Sequence, residues 1–146
     1  MKKQLVLYHL LKALLIFLWC YTALSKLFEM DRFTGTLSLI PFWGISPGIT
    51  AYALVGTELL TALLLCFKRT SKAGLYLSLF LLIVFTVYIV LMLLFAPKLP
   101  CSCGGVIQEL GWKWHIVFNL AYTGICFYSL FLYNKIIAQS GDAENL

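Results

Sequence analysis

Two thiols one residue apart are the chemistry this chain offers most openly. Cys101-Ser102-Cys103-Gly104-Gly105 falls in a short polar break between two long apolar runs. A Cys-x-Cys disulfide closes a small, strained ring, and strain makes the bond easier to reduce. That suits a carrier that passes oxidising equivalents. Gly104 and Gly105 permit tight backbone geometry where a partner approaches the sulfurs, and Pro100 stiffens the start of the loop. Two other readings stay open: a structural disulfide, with Cys20 as one conceivable mate, and half of a metal site. A closed zinc site needs four ligands, and Cys101, Cys103 and His115 do not make a strong zinc pattern, so no metal site is assigned. Cys66 and Cys126, like Cys20, lie within or at the ends of apolar runs and read first as small hydrophobes.

The polar residues around the apolar runs add to this pair. His115 follows the cysteines closely enough to take a thiol proton or to donate to a quinone carbonyl. Asn119 lies one helical turn beyond it, and Tyr122 and Cys126 continue the same face. Trp112 and Trp114 mark the start of that segment and suit an aromatic belt at a membrane surface. Glu58 is a carboxylate among apolar residues and needs a partner or a proton. Lys12 and Lys26 are its candidate partners, with proton handling or quinone contact as the other reading. Tyr21, Ser25, Lys26, Glu29 and Asp31 form a polar patch that could make a buried network beside the cysteine loop.

These groups require long apolar elements to position them. Of the 146 residues, 62% are hydrophobic and only 12% charged, with a mean hydropathy of +0.92. A soluble domain carries roughly a quarter charged residues. The chain therefore reads as one membrane domain over residues 1–146, an all-α bundle of four spans. They are expected at about 5–24, 50–67, 74–96 and 114–133, each near the ~20 residues that cross a bilayer. Residues 29–49 are punctuated by Gly35, Pro41, Gly44, Pro47 and Gly48 yet remain apolar. They predict an additional short helical segment at the interface between the first two spans, anchored by Trp43. Residues 138–146 read as a frayed polar tail. Met1-Lys2-Lys3 before an apolar run resembles a signal peptide, but no small-x-small cleavage site follows, so it reads as an uncleaved first span.

Charge suggests the orientation. With the amino terminus in the cytoplasm, that side carries Lys2, Lys3, Lys68, Arg69, Lys72 and Lys135, and the other carries Lys26, Arg32, Lys98 and Lys113. The bias favours both termini inside. The Cys101/Cys103 loop would then face outward, which in a bacterium is the oxidising periplasm. The net charge of +5 belongs to this anchoring pattern, and nothing in the chain reads a nucleic acid.

Three pieces of sequence carry a resemblance: Tyr21-Thr-Ala-Leu-Ser-Lys26-Leu-Phe, Glu58 in the second span, and Pro100-Cys-Ser-Cys-Gly-Gly105 with Trp112 to Asn119. Together they are similar to the DoxX-like superfamily of small four-helix membrane proteins, and more closely to its MauE, or methylamine utilisation, branch. The resemblance covers about residues 5 to 135. It implies a four-helix bundle in a bacterial inner membrane that helps mature disulfide-rich periplasmic proteins with a thioredoxin-like partner. Other relatives are linked to quinone-coupled sulfur oxidation. The chain lacks the CxxC expected near the quinone in the wider vitamin K epoxide reductase group. The leading expectation is a membrane thiol–disulfide relay, with Cys101, Cys103 and His115 as its reacting groups. Glu58 and Asn119 would line a cavity for a quinone or a lipid tail, while Lys26, Gly104, Gly105, Trp112 and Trp114 serve structure. The alternatives are a non-enzymatic subunit or assembly factor of a larger membrane complex, and a small-molecule carrier. A homodimer fits any of them.

Overall fold

A computed structural model describes residues 2–38, 46–95 and 111–144. Five helices account for them: α1 (Lys2–Phe28), α2 (Met30–Ser38), α3 (Pro47–Cys66), α4 (Ser71–Phe95) and α5 (Gly111–Glu144). No strand occurs among the described residues. Four of the helices, all but α2, are long and apolar enough to cross a membrane, and α2 has only nine residues. The chain is thus an all-α, multi-pass membrane protein with one short additional helix, as composition and patterning predict. Cys101, Cys103, Gly104 and Gly105 lie outside the described residues, as does Trp43. Trp112 belongs to α5 by its backbone, and its side chain lies outside the description.

The four long helices close a ring in which α1 packs on α3 and α5, and α4 joins α3 to α5 on the far side. Across the centre, α1 and α4 run parallel and meet through side chains. Lys12 reaches Ser71, Trp19 reaches Ser78, and Lys26 stands over the ring of Phe85, each pair separated by the same 59 residues. The contact therefore repeats every seven residues on both helices, the spacing that keeps one face turned to a partner. Trp19 is central to this seam. Its indole N–H, which hydrocarbon cannot satisfy, donates to Ser78 Oγ at 2.8 Å. Leu15, Leu65, Leu75 and Leu82 fill the core around it.

The outer surface is apolar instead. Phe17, Leu63, Phe80 and Phe127 are among many large hydrophobic side chains that stand exposed. A continuous apolar exterior of this kind requires lipid to cover it. Residues 67–70 turn α3 into α4 tightly. Thr70 Oγ1 donates to the Leu64 carbonyl at 2.8 Å and Ser71 Oγ to the Phe67 carbonyl at 2.8 Å. These bonds satisfy carbonyls that the end of α3 would otherwise leave bare. Gly74 sits where α4 crosses close to α3: a Cβ there would meet the Leu65 backbone nitrogen at 2.9 Å.

Each long helix begins about three residues before its expected span, and the first and last also run on beyond it. The first span begins at Lys2 and runs to Phe28. The last helix continues through the polar residues to Glu144, for 34 residues in all. Hydropathy locates the apolar part of a helix, whereas backbone hydrogen bonding carries on through any good helix former.

Candidate functional site

The residues with chemistry to offer converge at one end of the bundle. They come from the last turns of α1, the first half of α3, the second half of α4 and the start of α5. There they surround a cavity of about 220 Å³, roofed by Phe33 and Leu37 of α2. The roof is held from outside the ring: Phe33 and Leu37 pack on Ala51 of α3, with Met30 and Leu54 beside them. Most of the wall is apolar, from Leu18, Trp19, Leu82, Phe85 and Ile89.

Of the polar side chains that interrupt that wall, Thr22, Thr50 and Tyr88 are partly buried and four lie deeper: Lys26, Glu58, His115 and Asn119. All four are buried, and Glu58 is completely so. Lys26 Nζ and Glu58 Oε1 form a salt bridge between α1 and α3. The same ammonium lies 5.7 Å from the ring centre of Phe33 and 5.2 Å from that of Phe85. Carboxylate and aromatic faces thus share the compensation of one buried cation. The sequence left Lys12 and Lys26 open as partners of Glu58, and the fold selects Lys26. Lys12 lies two heptads further along the seam, beside Ser71 at the other end of the bundle.

Three polar atoms of this cluster have no hydrogen-bond partner among the described residues: Glu58 Oε2, His115 Nδ1 and Asn119 Nδ2. Buried polar atoms are nearly always satisfied, and leaving one unmade costs about 1–3 kcal/mol. Three of them on one cavity are what a polar ligand group or ordered water would complete.

His115, Asn119 and Cys126 face the bundle interior as their spacing predicts, with Tyr122 partly buried on the same side. Cys126 contacts the Leu75 carbonyl at 3.2 Å and so ties α5 to α4. Trp114 is 64% exposed on the outer surface. Cys20 is partly buried against the core and Cys66 is exposed at the end of α3. The polar patch expected after α1 does not stay together. Lys26 turns inward to Glu58, Glu29 turns to Arg32 at 3.6 Å on the surface, and Asp31 is exposed on α2. At and just past the turn between α1 and α2, both acidic residues lie toward the surface. Among the described residues no three His, Cys, Asp or Glu side chains gather as a metal site.

Trp19, Phe33 and Phe85 were not singled out in the sequence. Trp19 carried a usable signal: it lies inside the first span rather than at its end, and seven residues from both Lys12 and Lys26. A tryptophan N–H at that depth needs an acceptor inside the bundle.

The fold and cavity define a small membrane protein of four long apolar helices with a buried ion pair and an amphipathic pocket near one end of the bundle. The family of methylamine utilisation protein MauE matches residues 4–132, nearly the whole chain, and the protein belongs to that DoxX-like, redox-associated family. No curated protein and no solved structure matches the chain significantly.

Proposed function

We propose that the protein is a membrane thiol–disulfide relay that supports oxidation of proteins on the outer, periplasmic side of a bacterial inner membrane. The observation that carries the reading is the amphipathic cavity with its three unpartnered polar atoms. It lies at the end of the bundle where α4 and α5 take up the segment holding Cys101 and Cys103. A Cys101–Cys103 disulfide exchanges with a client dithiol through a mixed disulfide. The client leaves as a disulfide, and two electrons and two protons remain on the relay as the Cys101/Cys103 dithiol.

Reoxidation of that dithiol requires a two-electron acceptor, and the cavity residues fit the head group of a quinone. About 220 Å³ is below the 300–1,000 Å³ typical of drug-sized ligands and suits a single substituted ring. A bound quinone would supply an acceptor for two electrons and two protons. Asn119 Nδ2 would donate to one carbonyl, and His115 Nδ1 would donate to a carbonyl or take up a thiol proton. Glu58 Oε2 would hold a proton beside them, with Lys26 fixing the carboxylate. Trp19, Phe85 and Leu82 line the cavity and would exclude water from such a head group.

Differential alkylation of Cys101 and Cys103 in intact cells, read by mass spectrometry, tests this. The pair should be part dithiol and part disulfide in the native protein, and should shift toward the dithiol in an Asn119→Leu variant. Client oxidation should fall in the Cys101→Ser/Cys103→Ser variant. A permanently oxidised pair, or client oxidation unchanged in the double variant, would refute the relay. The chain would then be better read as a small subunit of a larger membrane assembly.

A further inference from the structure

The opposite end of the bundle holds a second site that the thiol chemistry does not use. Lys12 is 9% exposed, and its ammonium has three protons to donate. Among the described residues its one hydrogen-bond acceptor is Ser71 Oγ at 3.4 Å, a hydroxyl whose own proton goes to the Phe67 carbonyl at 2.8 Å. The Tyr8 ring lies 5.7 Å from Nζ. Of the carboxylates whose side chains are described, none serves as its counter-ion: Glu58 pairs with Lys26, Glu29 pairs with Arg32, and Asp31 is on α2 at the far end, while the side chains of Asp142 and Glu144 lie outside the description. A buried, uncompensated ammonium is costly and calls for an anion.

The surroundings supply room for one. Lys12 lines a cavity of about 260 Å³ together with Tyr8, His9, Lys68, Ser71 and Tyr133. The contact with Ser71, the first residue of α4, puts Lys12 level with the α3–α4 turn rather than in mid-membrane. The stretch of α1 before Lys12 therefore projects past that turn by about 15 Å at ~1.5 Å per residue. The end of α5 runs beside it, with the rings of Tyr8 and Tyr133 6.0 Å apart. The two helices make a groove at headgroup depth. Its floor is cationic, and Leu5 and Ile137 on its rim are exposed apolar side chains.

We propose that this groove binds a phosphate oxyanion at Lys12, with Lys68 and His9 at its mouth. The oxyanion is that of an acidic phospholipid headgroup, whose acyl chains lie on the apolar rim, or of free phosphate. Basic pockets between transmembrane helices take acidic headgroups in this way. The site does not depend on the cysteine pair and stands or falls separately from the relay.

The test uses the full chain, delipidated in an uncharged detergent. Thermal unfolding is followed during titration with dioleoylphosphatidylglycerol, with dioleoylphosphatidylcholine, and with sodium phosphate at matched ionic strength. Phosphatidylglycerol or phosphate should stabilise the protein saturably where phosphatidylcholine does not, and which of the two does so identifies the source of the oxyanion. Lys12→Gln should weaken the apparent affinity at least about tenfold, the size of one lost charge-assisted hydrogen bond, and Lys12→Arg should restore it. Lys68→Glu, at an exposed residue whose change leaves the core intact, should weaken it as well. Arg32→Gln, the same loss of charge at the other end, should leave it unchanged. Equal stabilisation by phosphatidylcholine, or full retention of the effect in both Lys12→Gln and Lys68→Glu, would overturn the proposal.

Discussion

Breaking the Lys26–Glu58 pair should separate a structural ion pair from a dispensable one. Both residues are buried, Lys26 at 6% exposure and Glu58 at 0%, so bulk solvent does not stabilise the charge left by a lost partner. Removing one member of such a pair costs about 3–5 kcal/mol, because the other charge stays behind uncompensated. The two single substitutions should not be equal. In Lys26→Met the carboxylate loses its only described cation, and the full cost applies, about 4 kcal/mol. In Glu58→Gln the ammonium keeps the faces of Phe33 and Phe85. Cation–π contact out of water is worth about 2 kcal/mol, so the loss should be nearer 2 kcal/mol. The Lys26→Met/Glu58→Gln double variant leaves no charge at this site and should lie within about 2 kcal/mol of the native protein. At about 2–4 °C per kcal/mol for a domain of this size, Lys26→Met should lower Tm by about 8–16 °C. Reversible unfolding in detergent micelles, followed by near-ultraviolet circular dichroism of the buried Trp19, measures all three. Single effects that add in the double variant to within about 0.5 kcal/mol, the tolerance for independent sites, would refute the coupling and the buried pair with it.

Two further perturbations test the packing and the division of labour among the thiols. Gly74→Ala should destabilise by about 1–3 kcal/mol, the usual cost of overpacking, because its Cβ would meet the Leu65 backbone at 2.9 Å; a neutral result in the same unfolding assay would mean that α3 and α4 are further apart at that turn. In the folded protein N-ethylmaleimide should label Cys66 well before Cys126, since the first is exposed and the second is completely buried. Mass spectrometry of peptides over time reads this, and rapid labelling of Cys126 would contradict its place between α4 and α5.

Much of the architecture was written in the sequence. A chain with so few charges can satisfy its backbone in lipid only as helices or a closed barrel, and runs of the right length for helices fix four spans. The period of 3.6 residues also places His115, Asn119 and Cys126 on one buried face before any contact is known. Glu58 could be recognised as needing a partner because an apolar span leaves a carboxylate nowhere to find one. The identity of that partner was not legible. Lys12 and Lys26 are alike in type and lie on the same face of α1, and only the register of α1 against α3 and α4 sends one to Glu58 and the other to Ser71. The fate of Glu29 and Asp31 was equally hidden, since it depends on the break between α1 and α2. So was the cavity, which exists where five helices meet and where Phe33 and Phe85, unremarkable in sequence, bring their rings to one cation. Periodicity and hydropathy are local quantities that a chain carries wherever it goes. Which buried charge meets which, and which polar atoms are left open to a shared space, are relations between segments that only their packing creates.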